Sequence, residues 1–147
     1  MKKTSLYAYI TLKSEEFSNF PLEIVTERLG IKPTQTWKAG DRIHPNNPDN
    51  RLERSYTCWK FKTETIETLD PEEVLRPIFE LFESKTDVMN QLKEEYDLQA
   101  DIELVIEVYD GYMPGLVIYP KFSTFFAAID AAIGIDMYVF SLNSVEE

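Results

Sequence analysis

Thiols and imidazoles are almost missing from this chain: of its 147 residues one is a cysteine, Cys58, and one a histidine, His44. A lone cysteine permits no intrachain disulfide, and a chain without that staple suits a reducing, cytoplasmic setting. One residue of each type also excludes thiolate clusters, histidine pairs and His-based zinc sites. A Cys58–His44 dyad is the remaining nucleophile–base pair. Cys58, however, falls mid-strand, where a small buried hydrophobe is the usual role. The five glycines read as caps and turns, and GxGxxG, phosphate-loop and G-x-S-x-G patterns are absent. No metal, cofactor or catalytic residue is therefore expected.

Long apolar runs are missing too. Nothing approaches the roughly 20 apolar residues of a membrane span. Lys2 and Lys3 precede a short apolar run, but Thr11 breaks it and no small-residue cleavage site follows, so it does not read as a secretion signal. Positive charge is scarce in one half only. Residues 1–62 carry 11 Lys/Arg against 7 Asp/Glu, and residues 63–147 carry 4 against 19, which accounts for the net −11. Such an acidic whole opposes nucleic-acid binding, which needs a dense cationic surface. The acidity serves solubility, or faces a basic partner.

What is present suffices for one domain over residues 1–147. Apolar residues make up 44% and aromatics 13%, enough to fill a core and too much for disorder. A period of two marks residues 5–12 as a strand, with Leu6, Ala8, Ile10 and Leu12 on one face and Tyr7 and Tyr9 on the other. Leu22, Ile24, Val25 and Leu29 fall at helical spacing between Pro21 and a capping Gly30. A long polar loop over 32–54 precedes a strand over 55–62, with Trp59 and Phe61 on one face. Asp70-Pro71-Glu72-Glu73 starts a helix, with a kink or restart expected at Pro77. A further helix is expected over Asp87–Tyr96.

Residues 102–109 form the clearest strand: Ile102, Leu104, Ile106 and Val108 point one way, Glu103, Glu107 and Tyr109 the other. A strand over Leu116–Tyr119, a helix from Phe122 to Ile133 capped by Gly134, and a strand over 135–142 complete the chain. Leu29-Gly30-Ile31 and Ile133-Gly134-Ile135 read as matching helix exits. The order β-α-loop-β-α-α-β-β-α-β implies an α+β two-layer sandwich, one sheet of about five strands with helices packed on one face.

Two surfaces are candidates for binding. Alternation gathers Tyr7, Tyr9, Tyr109 and Tyr138 with Glu103, Glu107 and Asp136 on the outer sheet face, where tyrosines supply contact area at low entropy cost and carboxylates meet a basic protein. Helices or the long loop covering that face would make the same tyrosines core. Glu103 and Glu107 stand about 13 Å apart at strand rise, too far for a glycosidase-type pair. The loop is the other candidate: Trp37, Tyr56 and Trp59 lie among Lys32, Lys38, Arg42, Arg51, Arg54, Lys60 and Lys62, a composition that can stack a planar anion. Alternatively Trp37 and Trp59 pin the loop to the sheet and the cations pair with the acidic half.

Leu29-Gly30-Ile31-x-Pro33, then Trp37, Gly40-Asp41 and Trp59, with the closing PGLVIYPKFSTFFAAIDAAIGIDMYVF, resembles the bacterial family known as domain of unknown function 4279, from about Tyr7 to Phe140. HPNNPDNRLE lengthens the loop relative to that pattern. The resemblance implies no catalytic residues. It implies kinship with small proteins that act as immunity partners of bacterial toxins. The expectation is a non-enzymatic cytosolic binding protein, an inhibitor of a basic protein partner. The alternative is a small ligand- or anion-binding module, with or without enzymatic activity, using the Trp37/Trp59 loop. Oligomeric state is not legible.

Overall fold

Alternation becomes a sheet whose middle strand is β1 (Ser5–Lys13). In the computed structural model, which describes residues 2–140, the strand order is β2-β3-β1-β4-β5, with β2 Gln35–Trp37, β3 Cys58–Lys62, β4 Gln99–Tyr109 and β5 Ala132–Phe140. β1 lies antiparallel to β3 and β4, β2 antiparallel to β3, and β5 parallel to β4. The molecule is thus α+β, one open mixed sheet with helices, as the element order implies.

The register fixes the two faces. Leu6 opposes Ile106, Ala8 opposes Leu104 and Ile10 opposes Ile102, so these rows share one side. Trp59, opposite Leu12, joins them. Onto this side pack α1 (Leu22–Leu29), α2 (Glu72–Phe82), α3 (Thr86–Tyr96) and α4 (Pro120–Ala128), which bring Val25, Leu29, Leu75, Ile78, Phe82, Leu92, Phe122 and Phe126 into one continuous core. Burial of such side chains supplies roughly 1.5–3 kcal/mol each before chain entropy is charged against it.

Helix ends follow local chemistry. Gly30 adopts φ 68° and its amide bonds the Thr26 carbonyl, ending α1 as a left-handed cap. Asp70 Oδ1 accepts the Glu72 amide at 3.0 Å and starts α2. Pro77 does not restart the helix: α2 runs through it, and the break comes at a 3₁₀ turn, Glu83–Lys85, before α3.

Three expectations are corrected. The 32–54 loop contains β2, because β3 offers it a free edge, and an internal Arg42–Glu53 bridge. Leu116–Tyr119 is no strand; it lies outside the sheet, with Leu116, Val117 and Tyr119 exposed. Gly134 caps nothing: α4 stops at Ala128, Asp130 takes the positive φ of 50°, and Gly134 sits inside β5 opposite Glu103. The two apolar-Gly-Ile strings therefore have different structures. The expected last strand starts earlier, and its positions 141 and 142 lie outside the described residues.

Candidate functional site: the helix-free sheet face

The four α-helices of the described residues build the core on one side, and the buried apolar strand residues of the other side, Cys58, Val105 and Tyr109, stand apart from that core. The tyrosine-bearing face is therefore free of helices among the described residues. Strand order decides what shares it. Lys62 opposes Tyr9, which opposes Glu103, which opposes Gly134; Lys60 opposes Thr11, which opposes Asp101. Cations occupy the β3 side, tyrosines the central strand and carboxylates the β4–β5 side.

The cations rest on rings. Lys60 Nζ lies 4.0 Å from the Tyr9 centroid and Lys62 Nζ 4.2 Å from that of Tyr7, a geometry that attracts ammonium to the ring face. At the β2 corner the Arg54 guanidinium lies 4.2 Å over Trp37, and Tyr56 meets Trp37 edge-on at 5.7 Å. Lys13 pairs with Asp101 at 3.1 Å, without the alignment of a hydrogen bond. No ion pair neutralises Lys60, Lys62, Glu103 or Asp136 among the described residues.

Crowding shifts the protonation of this face. Burial, then Glu103 and Asp136, pushes the Tyr9 phenol up to about 12, and burial with Glu107, Tyr138 and Asp136 raises Tyr7. Burial raises Glu103, with Asp136 and Asp101 adding repulsion and Lys13 opposing them. Burial lowers Lys60. The Cys58 thiol is driven up to about 12 by burial, against the pull of Lys60, Lys13 and Arg54, a setting that disfavours the thiolate.

Of the residues singled out from sequence, Tyr7, Tyr9, Glu103, Glu107, Asp136 and Tyr138 share this face, with Tyr138 52% exposed. Tyr109 belongs to it by alternation but is buried and stacked on Phe140 at 4.8 Å. Trp37 and Trp59 do not act together. Trp59 opposes Thr36 in the β2–β3 register, so alternation sends the two indoles to opposite faces. Trp59 is 0% exposed, its Nε1–H donated to Thr26 Oγ1 at 2.9 Å, and it pins β3 to α1 as a core residue. Trp37 is half-buried, and its buried Nε1 has no hydrogen-bond partner among the described residues. Arg42 is exposed and donates to the Asn47 and Asn50 carbonyls, bracing the loop. Sequence reasoning passes over Lys13, Thr11 and Asp101. With Tyr9, Trp37, Tyr56, Cys58, Lys60 and Glu103 they line a cleft of about 240 Å³. Thr11 and Cys58 are the buried members of that lining.

A family model described as domain of unknown function (DUF4279) matches residues 4–140, nearly the whole chain, and the chain belongs to that family. Neither a curated protein nor a solved structure matches it. No helix is long and apolar enough to cross a membrane among the described residues.

Proposed function

We propose that this DUF4279 protein is a non-enzymatic cytoplasmic binding protein that docks a basic protein partner on its helix-free sheet face, in the manner of an immunity-type inhibitor. One observation carries the reading: among the described residues Glu103, Asp136 and Tyr138 lie together on a face no helix covers, with the carboxylates unpaired. Unpaired carboxylates beside half-buried aromatics suit arginine- and lysine-rich surfaces, the rings supplying desolvated area that charge alone does not. The raised thiol of Cys58 fits a molecule that works by occupancy.

Charge reversal tests it. Partners captured from lysate and identified by mass spectrometry are titrated against Glu103→Lys, Glu107→Lys and Asp136→Lys. Each substitution is expected to weaken binding at least tenfold, while reversals at Glu80 and Glu83, on the helical side, do not. The opposite pattern would move docking to the helical layer.

A second reading draws on the unpartnered Trp37 Nε1 beside the Lys13–Lys60 cleft. A small planar anion in that cleft would meet Lys13, Lys60, Tyr9 and Tyr56, independent of Trp59. Quenching of Trp37 fluorescence by aromatic carboxylates, lost in Lys60→Ala, is its signature.

A further inference from the structure

The two edges of the sheet are unlike. β2 is three residues long, with Pro33 two residues before it and Lys38 directly after, a short guarded edge of the sort that deters pairing. β5 is nine residues long, ends the strand order, and contains one charge, Asp136. It has no proline. On its helical side Ile135, Met137 and Val139 are 44%, 38% and 67% exposed, beyond the reach of the helices. On its other side Asp136 and Tyr138 alternate with them, backed by Glu103 and Glu107 of β4. Among the described residues this edge offers unpaired main-chain groups together with two chemically distinct sides.

From this we infer that β5 receives an extended strand of the partner, added at the open edge, whose side chains alternate between apolar and basic. The apolar set would cover Ile135, Met137 and Val139. The basic set would face Asp136, Glu107 and Glu103. Main-chain hydrogen bonds supply affinity in this mode and the alternate side chains supply specificity. A second copy of this chain fits poorly: pairing β5 with β5 brings two rows of unpaired carboxylates together in molecules that each carry −11. The inference rests on the basic-partner reading and names how that partner is held.

The probe is a nine-residue peptide alternating valine and lysine. Controls are a peptide of the same composition in two blocks, and one alternating valine and glutamate. By fluorescence anisotropy the alternating Val–Lys peptide is expected to bind and both controls to fail. Hydrogen exchange should slow at β5 amides directed away from β4. Met137→Lys and Val139→Lys, placed on exposed positions, should weaken binding at least tenfold with unchanged thermal melts. Equal binding of the block peptide, no binding, or indifference to both substitutions would overturn the inference. So would a dimer in ultracentrifugation that Val139→Lys dissociates, because the edge would then belong to a second copy. If the Glu103, Glu107 and Asp136 reversals release a captured partner while the β5 lysines do not, the sheet-face reading stands and the edge inference falls.

Discussion

Trp59 and Trp37 are separated by one change of face, and their substitutions should differ accordingly. Trp59→Ala empties a fully enclosed site between β3, α1 and Phe82, which it meets edge-on at 6.0 Å, so a loss of roughly 3–5 kcal/mol is expected in denaturant melts. Trp37→Ala removes a half-buried ring already lacking a partner for its N–H, and should cost less. Equal losses would place Trp37 in the core after all. Glu103 gives a test with a defined sign. Its folded-state pKa is raised by burial and then by Asp136 and Asp101, so the folded protein holds the proton more tightly than the unfolded chain. Stability from this group then falls as pH rises from the ordinary carboxylate range through the raised value. Glu103→Gln should therefore match or exceed the parent in thermal melts at pH 7, with the advantage shrinking toward pH 4.5. A variant less stable at pH 7 would mean that the charged form is favoured. Gly134 belongs to the same locality. A methyl there would stand 2.2 Å from Glu103 Oε2, so Gly134→Ala must swing that carboxylate off β5.

At the scale of elements, α2 accommodates Pro77, whose missing N–H leaves the Glu73 carbonyl without its helical donor. Pro77→Ala should raise stability by up to about 3 kcal/mol; a lower melting temperature would show that the half-buried ring packs better than the hydrogen bond it forgoes. The amphipathic elements, β1, α1, α3 and β4, are legible in sequence because each buries one regular stripe. β2 is not, since three largely exposed residues carry no period and exist as a strand only through β3. Leu116–Tyr119 misleads for the opposite reason: its apolar residues match a strand template, but it gains no place in the sheet and leaves them exposed. Gly134 misleads because asparagine-like tolerance of the left-handed region let Asp130 end the preceding turn four residues earlier. The carboxylate and tyrosine rows of the candidate face follow from period two alone. That Lys60 and Lys62 stand over those tyrosines depends on β3 lying beside β1, a long-range pairing no local pattern encodes.

Across the whole molecule, the sequence's charge gradient becomes a spatial one. β3 and its loop hold the cations, while the acidic second half supplies β4, β5 and most of the helices. A basic partner should be steered at long range, so its association rate should fall on the order of tenfold as salt is raised well above the physiological range, with little change in dissociation. Surface plasmon resonance at two ionic strengths reads both, and an association rate indifferent to salt would remove steering from the account. The placement of β1 has a further consequence, in time and not in space. The central strand is translated before the other four described strands and its neighbour β4 much later, with Ser5 waiting for Glu107 and Lys13 for Gln99. Until β4 emerges, β1 has partners on one side only, β3 and the Leu6–Ile66 bridge, and its other edge stands open. A sheet that joins such distant partners folds slowly for its size, so the nascent chain is most prone to aggregation in the interval before β4, Gln99–Tyr109, has emerged whole.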